Sequence, residues 1–312
     1  MRNALLRTVV SVLLIGGCGP TSDDSSDGGT GSDALLGRDQ GMWYDSSGGD
    51  GGDSGMPDNC ATGARLVYVV DSDGRFSSFD PQRNPPFQDI VSKLNGPAQT
   101  DWLGVKATPF SMSVDRNAIA WVLYSSGELF KVDTSNGACQ ATSFAKNQSG
   151  FLLMGMGFVA NAPGSMEDTL YVAGGSGPGS GTNARLGTID TNTLVLSPLA
   201  QLTGWPELTG TGLAELWGFF PDTTPPKVAK INKTTGAEEV VYPLSSLQGE
   251  PEAWAFAFWG GDFWIFLKRS TDSSTTVYRV DGTNGNLTRA FPDTGRRIVG
   301  AGVSTCAPVT ID

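Results

Sequence analysis

Two glutamates and an arginine stand at comparable places in this chain. Glu207 follows Pro206 and Glu252 follows Pro251, each at the head of an apolar stretch, and Arg297 heads a third such stretch over 298–303. Aligned with the corresponding stretches upstream, they share a position with Phe110 and Phe151. If these stretches are neighbouring strands around one axis, two carboxylates and a guanidinium meet at one mouth. Paired carboxylates can hydrolyse a glycosidic bond, one donating a proton and the other acting as nucleophile or base. Carboxylates from adjacent strands also repel each other unless a cation lies between them. Arg297 can bridge both with its planar fork, as can a metal or a cationic ligand. The trio is thus a candidate ligand-binding set or an internal ion-pair cluster.

Composition narrows the chemistry further. The chain has 312 residues and no histidine, which removes the commonest general base and the commonest transition-metal ligand together. Catalysis would have to run on carboxylates, Tyr, Lys or a bound hard cation. The formal charge of −11 gives no electrostatic footprint for nucleic acid, and an anionic membrane surface would repel the chain as a whole. A charged fraction of only 17%, with 42 glycines, suits a β-rich exported protein.

The elements that must position the trio form a repeat. An alternating apolar phrase ending in an acidic residue or Asn recurs at 75–80, 128–133, 185–190, 227–232 and 276–281. Steps between the terminal residues are 53, 57, 42 and 49. Three of the phrases run into Gly-containing turns at 134–137, 233–236 and 282–285, where Gly supplies the positive φ of a tight hairpin. Strand patterns precede each of the later phrases at 118–124, 169–173, 215–220 and 263–268, and ahead of these at 110–114, 152–158, 207–213 and 253–259. About four strands in a period near 50 reads as a β-propeller blade.

The ends settle the count. The first repeat opens at 66–70 with a second strand and no first, and the chain ends with a lone inner strand at 298–303. Joining the two completes a five-bladed β-propeller over 59–312 with no open sheet edge, which a two-sheet sandwich would not require. Cys60 and Cys306 flank that seam, which predicts a disulfide between them and leaves Cys139 as a buried thiol. Propeller glycoside hydrolases project carboxylates from inner strands in this way, but generally use three acids, and only Glu207 and Glu252 line up here.

The first 58 residues read differently. Arg2 and Arg7 precede an apolar run at 9–15 that is too short to span a bilayer. Ile15-Gly16-Gly17-Cys18 then resembles the bacterial lipobox, whose cysteine accepts a diacylglyceryl group. Residues 1–17 are therefore expected to be a cleaved signal and Cys18 the lipidated N-terminus, anchored in the cell envelope. Gly19, where an Asp would favour retention in the inner membrane, points to the outer membrane. Residues 19–58 hold nine Asp, eleven Gly and one Arg, a composition that predicts a disordered tether. As a flexible coil of 40 residues it would hold the domain about 35 Å from its anchor. Leu35-Leu36 and Met42-Trp43-Tyr44 are its apolar interruptions.

Other candidates read as architecture. The alternation of small and large residues over 253–259 could stack a sugar, but it also suits packing between blades. Asp71, Asp73 and the turn aspartates could ligate Ca2+, the one cofactor considered, but no EF-hand loop follows and turn chemistry explains them. The glycine-rich stretch 173–181 lacks the Gly-Lys-Ser/Thr ending of a phosphate loop.

The phrases at 109–116, 215–222 and 300–308 resemble predicted lipoproteins of myxobacteria, over most of 60–312. That resemblance implies the location and the fold and carries no activity. Its members have a further cysteine just before the Pro109 phrase; this chain has none there, so the resemblance supplies no bond for Cys139. The expected function is a membrane-anchored binding or scaffold propeller with a protein or glycan partner. The alternative is a carboxylate-dependent glycan-active enzyme working in the channel.

Overall fold

The computed structural model describes residues 59–97, 99–101, 103–176 and 184–311. The expected signal, Cys18 and the tether over 1–58 lie outside the described residues, as do 177–181 of the glycine-rich stretch. A single 3₁₀ turn, Thr62–Arg65, precedes the first strand. Strands β1 (Val67–Asp71), β2 (Phe76–Phe79) and β3 (Phe87–Val91) begin the first sheet. The second sheet is β4 (Pro109–Val114), β5 (Ile119–Tyr124), β6 (Leu129–Asp133) and β7 (Cys139–Ala141). The third is β8 (Leu153–Ala160), β9 (Asp168–Gly175), β10 (Arg185–Ile189) and β11 (Leu196–Gln201). The fourth is β12 (Glu207–Gly210), β13 (Leu216–Phe220), β14 (Lys227–Ile231) and β15 (Glu238–Pro243). The fifth is β16 (Pro251–Trp259), β17 (Asp262–Arg269), β18 (Thr276–Asp281) and β19 (Leu287–Phe291). Finally β20 (Ile298–Gly302) pairs antiparallel with β1 and completes the first sheet in the order β20-β1-β2-β3.

Five antiparallel four-stranded sheets make a five-bladed β-propeller, as the repeat and its split ends predict. The inner strands are β20, β4, β8, β12 and β16. Hairpins leaving them define one face of the ring, and the connections that enter them define the other, the mouth face.

Each sheet buries both of its surfaces against its neighbours, so the core is divided into five clusters, one per blade interface. Phe76, Met112 and Tyr124 fill the first-to-second interface, and Trp121, Phe158 and Val172 the second-to-third. Leu186, Trp205 and Phe220 fill the next; Trp217, Phe256 and Phe263 the fourth-to-fifth; Phe79, Trp264 and Phe266 close the circle. The alternation over 253–259 serves this packing: Ala255 and Ala257 belong to one interface, Phe256 and Phe258 to the next.

The repeated acidic turns are hairpins closed by side chains. Asp133 accepts from the Ser135 amide (2.8 Å), Asn232 from Thr234 (3.0 Å) and Asp281 from Thr283 (2.8 Å), while Gly137, Gly236 and Gly285 take φ of 72°, 72° and 75°. The third turn keeps the same plan without glycine. Asp190 accepts from Asn192 (2.9 Å), and Leu194 itself holds φ of 59°, a conformation costing a side-chain-bearing residue about 1–2 kcal/mol. Gln148 supports it, donating to the Leu194 carbonyl (2.8 Å) and accepting from the Leu196 amide (3.0 Å). The strand expected over 207–213 stops at Gly210, because the Thr211 hydroxyl accepts from the amides of Leu213 and Glu215 (both 3.2 Å) and turns the chain.

The seam is doubly held. Tyr68, Val69 and Val70 stand opposite Gly302, Ala301 and Gly300, and a disulfide joins Cys60 to Cys306 with Cα atoms 6.0 Å apart across 246 residues of sequence. Cys139 is buried and takes no part in it. For a loop of this length the chain-entropy model gives about 5 kcal/mol, so replacing Cys60 and Cys306 by serine should lower the unfolding free energy by several kcal/mol. Chemical denaturation of the variant checks the size of the loss, and non-reducing peptide mapping of the parent chain should return the 60–306 peptide pair with Cys139 alkylatable only after unfolding.

Candidate functional site

The inner strands approach one another so closely that side chains facing the axis must be small. Ser113 of β4 accepts from the Phe158 amide of β8 (3.0 Å), and two blades on Thr209 of β12 accepts from the Phe258 amide of β16 (3.0 Å). A Cβ on Gly157 would lie 3.1 Å from the Thr209 backbone, and one on Gly302 would lie 2.9 Å from Ser113. These contacts set one tier of the axis: Ser113, Gly157, Thr209, Ala257 and Gly302. Two residues back along each strand lies a second tier: Ser111, Gly155, Glu207, Ala255 and Gly300.

Glu207 is the large and ionisable member of that second tier. It is 3% exposed. The Ser111 hydroxyl donates to its Oε1, as does the Met156 amide (3.4 Å), so one carboxyl ties together β4, β8 and β12. Its Oε2 lies over Gly155, where a Cβ would come within 3.1 Å of it. Burial pushes the carboxyl's pKa up to about 8, against the opposing pull of the Ser111 and Met156 hydrogen bonds. At neutral pH the group holds its proton.

The other two members of the expected trio do not join it. Glu252 is exposed, occupies the extra position of a bulge between Pro251 and Ala253, and pairs with Lys268 (2.6 Å). Arg297 is exposed and donates to the backbone carbonyl of Glu252 (2.9 Å), not to a carboxylate. Each stands three residues ahead of its strand's member of the Glu207 tier. The shared proline before Glu207 and Glu252 suggests one register, but Glu207 pairs in line with Phe219 while Glu252 bulges out. Because side chains alternate faces, such an offset takes a residue out of the channel.

The buried guanidinium at the seam is Arg296, the neighbour of the residue the alignment selects. It donates to Asp71 Oδ2 (3.1 Å), the Ser77 hydroxyl (2.8 Å) and the Arg75 carbonyl (3.2 Å), and lies 3.6 Å from Asp89. The other Asp71 oxygen accepts from the amides of Asp73 and Arg75 (3.1 and 2.8 Å), so this turn is satisfied without calcium. Among the described residues no group of three or more metal-ligating side chains comes together.

A second buried cluster lies on the hairpin face. Arg116 donates to Asn59 Oδ1 (2.6 Å from Nη2) and the Thr305 hydroxyl (2.9 Å), and reaches Asp168 (3.5 Å) and Cys60 Sγ (3.4 Å). Burial raises the Asp168 pKa, against its hydrogen bond from Thr305 and the charge of Arg116. Sequence reasoning missed both Arg clusters. The signal for the channel was nonetheless present, as small residues two apart: Ser111 and Ser113, Gly155 and Gly157, Ala255 and Ala257, Gly300 and Gly302.

No protein-family model matches the chain, and no curated protein does. Similar solved structures include TolB from Acinetobacter baumannii, 13% identical over 73% of this chain with a TM-score of 0.42, and the chain spans 52% of that protein's length. A gluconolactonase from Xanthomonas campestris is 13% identical, covering 75% of this chain and 74% of its own, with a TM-score of 0.44. A protein of unknown function from Bacteroides caccae is 10% identical, with coverage of 75% and 84% and a TM-score of 0.42.

Two outcomes follow from this geometry. The folded chain keeps the Glu207 proton up to about pH 8, whereas the unfolded chain loses it near 4.5. The proton's contribution to stability is therefore complete below about pH 4.5 and falls by about 1.4 kcal/mol per unit as pH rises to about 8. Glu207→Gln should lack that slope, melting close to the parent at pH 5 and clearly above it at pH 8; parallel calorimetric curves for the two would contradict the assignment. In the same assay Arg296→Ala, which leaves Asp71 without its buried guanidinium, should cost about 3–5 kcal/mol, and Arg297→Ala about 0.5 kcal/mol or less.

Proposed function

We propose that this chain is a lipid-anchored envelope protein whose propeller serves as a binding or scaffold module, presenting its mouth face away from the anchor. The observation that carries the orientation is where the described chain begins. Asn59 is bound by Arg116 and hydrogen-bonds through its amide to the Met166 carbonyl (3.3 Å), and the Ala61 amide donates to the Arg116 carbonyl (2.9 Å). Cys60 is fixed to Cys306 beside them. Asn59 therefore lies on the hairpin face, opposite the mouth. Lipidation of Cys18 and outer-membrane residence rest on the lipobox resemblance and on Gly19.

The glycan-active alternative needs two carboxyls flanking an accessible bond, about 5–9.5 Å apart. Glu207 is sealed by Ser111, Met156 and Gly155, and Glu252 is neutralised by Lys268 outside the channel. This favours the binding or scaffold reading over hydrolysis at that pair. The partner expected is a protein or glycan of the envelope.

Fractionation tests the anchor. The parent protein should sediment with membranes, and Cys18→Ala should move it to the soluble fraction. Continued membrane association of the variant at high salt would overturn the lipoprotein reading.

A further inference from the structure

The disulfide that latches the seam has two unlike ends. Arg116 presents Nη2 to Cys60 Sγ at 3.4 Å, whereas among the described residues no cationic group donates to Cys306 Sγ. The rest of the guanidinium fork is held in place around that contact. Nε and Nη2 both donate to Asn59 Oδ1 (3.2 and 2.6 Å), and Nη1 donates to the Thr305 hydroxyl (2.9 Å). Arg116 is buried, so its charge acts on the sulfur through little water. The carboxylate paired with it, Asp168, faces the other terminal nitrogen, 3.5 Å from Nη1, and accepts from the Thr305 hydroxyl (2.9 and 2.8 Å). The charged group in contact with the sulfur is the guanidinium.

This asymmetry matters for one reaction. In thiol–disulfide exchange a thiolate attacks one sulfur and the other leaves as a thiolate, and the better stabilised thiolate leaves faster. A cation beside a cysteine stabilises its thiolate. Negative charge is therefore favoured on Cys60, which directs attack to Cys306. Both cysteines are half-buried and lie outside the sealed blade interfaces. Cys306 stands in a turn on the hairpin face, where the Ala307 amide donates to the Ser304 carbonyl (3.1 Å).

We propose that the seam disulfide is an exchange site for a dithiol reductant, with Cys306 as the sulfur attacked and Cys60 as the leaving group. A thiolate of the dithiol bonds to Cys306 Sγ as the Cys60–Cys306 bond breaks, and the electron pair goes to Cys60 Sγ beside Arg116. The second thiol of the dithiol then loses its proton to solvent and attacks its own partner sulfur in the mixed disulfide. Cys306 leaves as a thiolate that takes up a proton, and the dithiol departs as an internal disulfide. Two electrons thereby pass from the dithiol to the two cysteines. The covalent tie between β20 and the segment ahead of β1 is lost, while the β1–β20 pairing and the contact of Arg296 with Asp71 stay in place. The ring thus loses its latch without coming apart, and none of this rests on the anchored reading of Cys18.

The test uses residues 18–312 carrying Cys18→Ala, so that Cys60, Cys139 and Cys306 are the cysteines present. The chain is incubated with glutathione below the onset of unfolding, trapped at early times with excess maleimide and mapped by peptide mass. Glutathione should appear on Cys306 and maleimide on Cys60, in about three- to tenfold excess over the reverse arrangement. Cys139 is buried and serves as the internal control, since it should stay unlabelled while the ring is folded. Arg116→Gln combined with Asp168→Asn, which leaves neither charge buried alone, should slow the exchange by a similar factor and remove the preference. Asp168→Asn alone should keep the preference, and protection of Cys139 reports that each variant is folded. Glutathione on Cys60 as often as on Cys306 in the parent chain would overturn the proposal, whatever the variants do. Reduction that appears only together with labelling of Cys139 would also overturn it, and would make the bond a purely structural one.

Discussion

The ring depends on five backbones coming into contact around one axis. Where Gly155 faces the Pro206 carbonyl and Glu207, or Gly302 faces Ser113, a methyl group would already be at or inside contact distance. Inner strands can meet this closely only if alternate residues are small. The same alternation sends the large residues outward into the blade interfaces, as Ala255 and Ala257 alternate with Phe256 and Phe258. Axis and interface packing are thus one constraint seen from two sides of a strand.

Glu207 breaks that pattern, and the surrounding residues accommodate it. Gly155 leaves room beside its Oε2, Ser111 supplies a hydroxyl where the other strands have Gly or Ala, and the Met156 amide turns toward it. The carboxyl bridges three blades through the bonds it accepts, and burial, with no cation among its hydrogen-bond partners, favours the form that holds its proton. Departures from an otherwise consistent local rule tend to mark strained or functional positions. Here the departure ties the second, third and fourth blades together through one carboxyl.

The fold was legible because its punctuation is chemical. Acidic residues or Asn before Gly close hairpins by side-chain capping, and that recurs at Asp133, Asn232 and Asp281. The split first blade followed from counting strands at the ends, and the disulfide from the two cysteines beside the seam. Register was not legible. The bulge that expels Glu252 leaves no mark beyond the proline that also precedes Glu207, and the choice of Arg297 over Arg296 turns on one residue of offset. A period-two structure punishes a one-residue error by reversing faces. Leu194 shows the converse: a side chain in the left-handed region, held by Gln148 from 46 residues away, which no local pattern predicts.

The seam shows how a ring built from one open chain makes its closure specific. Strand pairing between β1 and β20 is backbone hydrogen bonding, which alone would not distinguish this partner from another edge. Side chains supply the distinction at both ends of the pair. On the mouth face, Arg296 enters just ahead of β20 and meets Asp71 at the end of β1, Ser77 on β2 and Asp89 on β3, so one guanidinium reads all three of its new neighbours. On the hairpin face, Thr305 just beyond β20 accepts from Arg116 and donates to Asp168, residues of the next two blades, while the disulfide ties Cys306 to the segment ahead of β1. A mispaired C-terminal strand would leave Arg296 and Asp71 buried without each other, a larger penalty than any lost ladder hydrogen bond. Buried charge, which adds little to the stability of most folds, here selects the one pairing that closes the propeller.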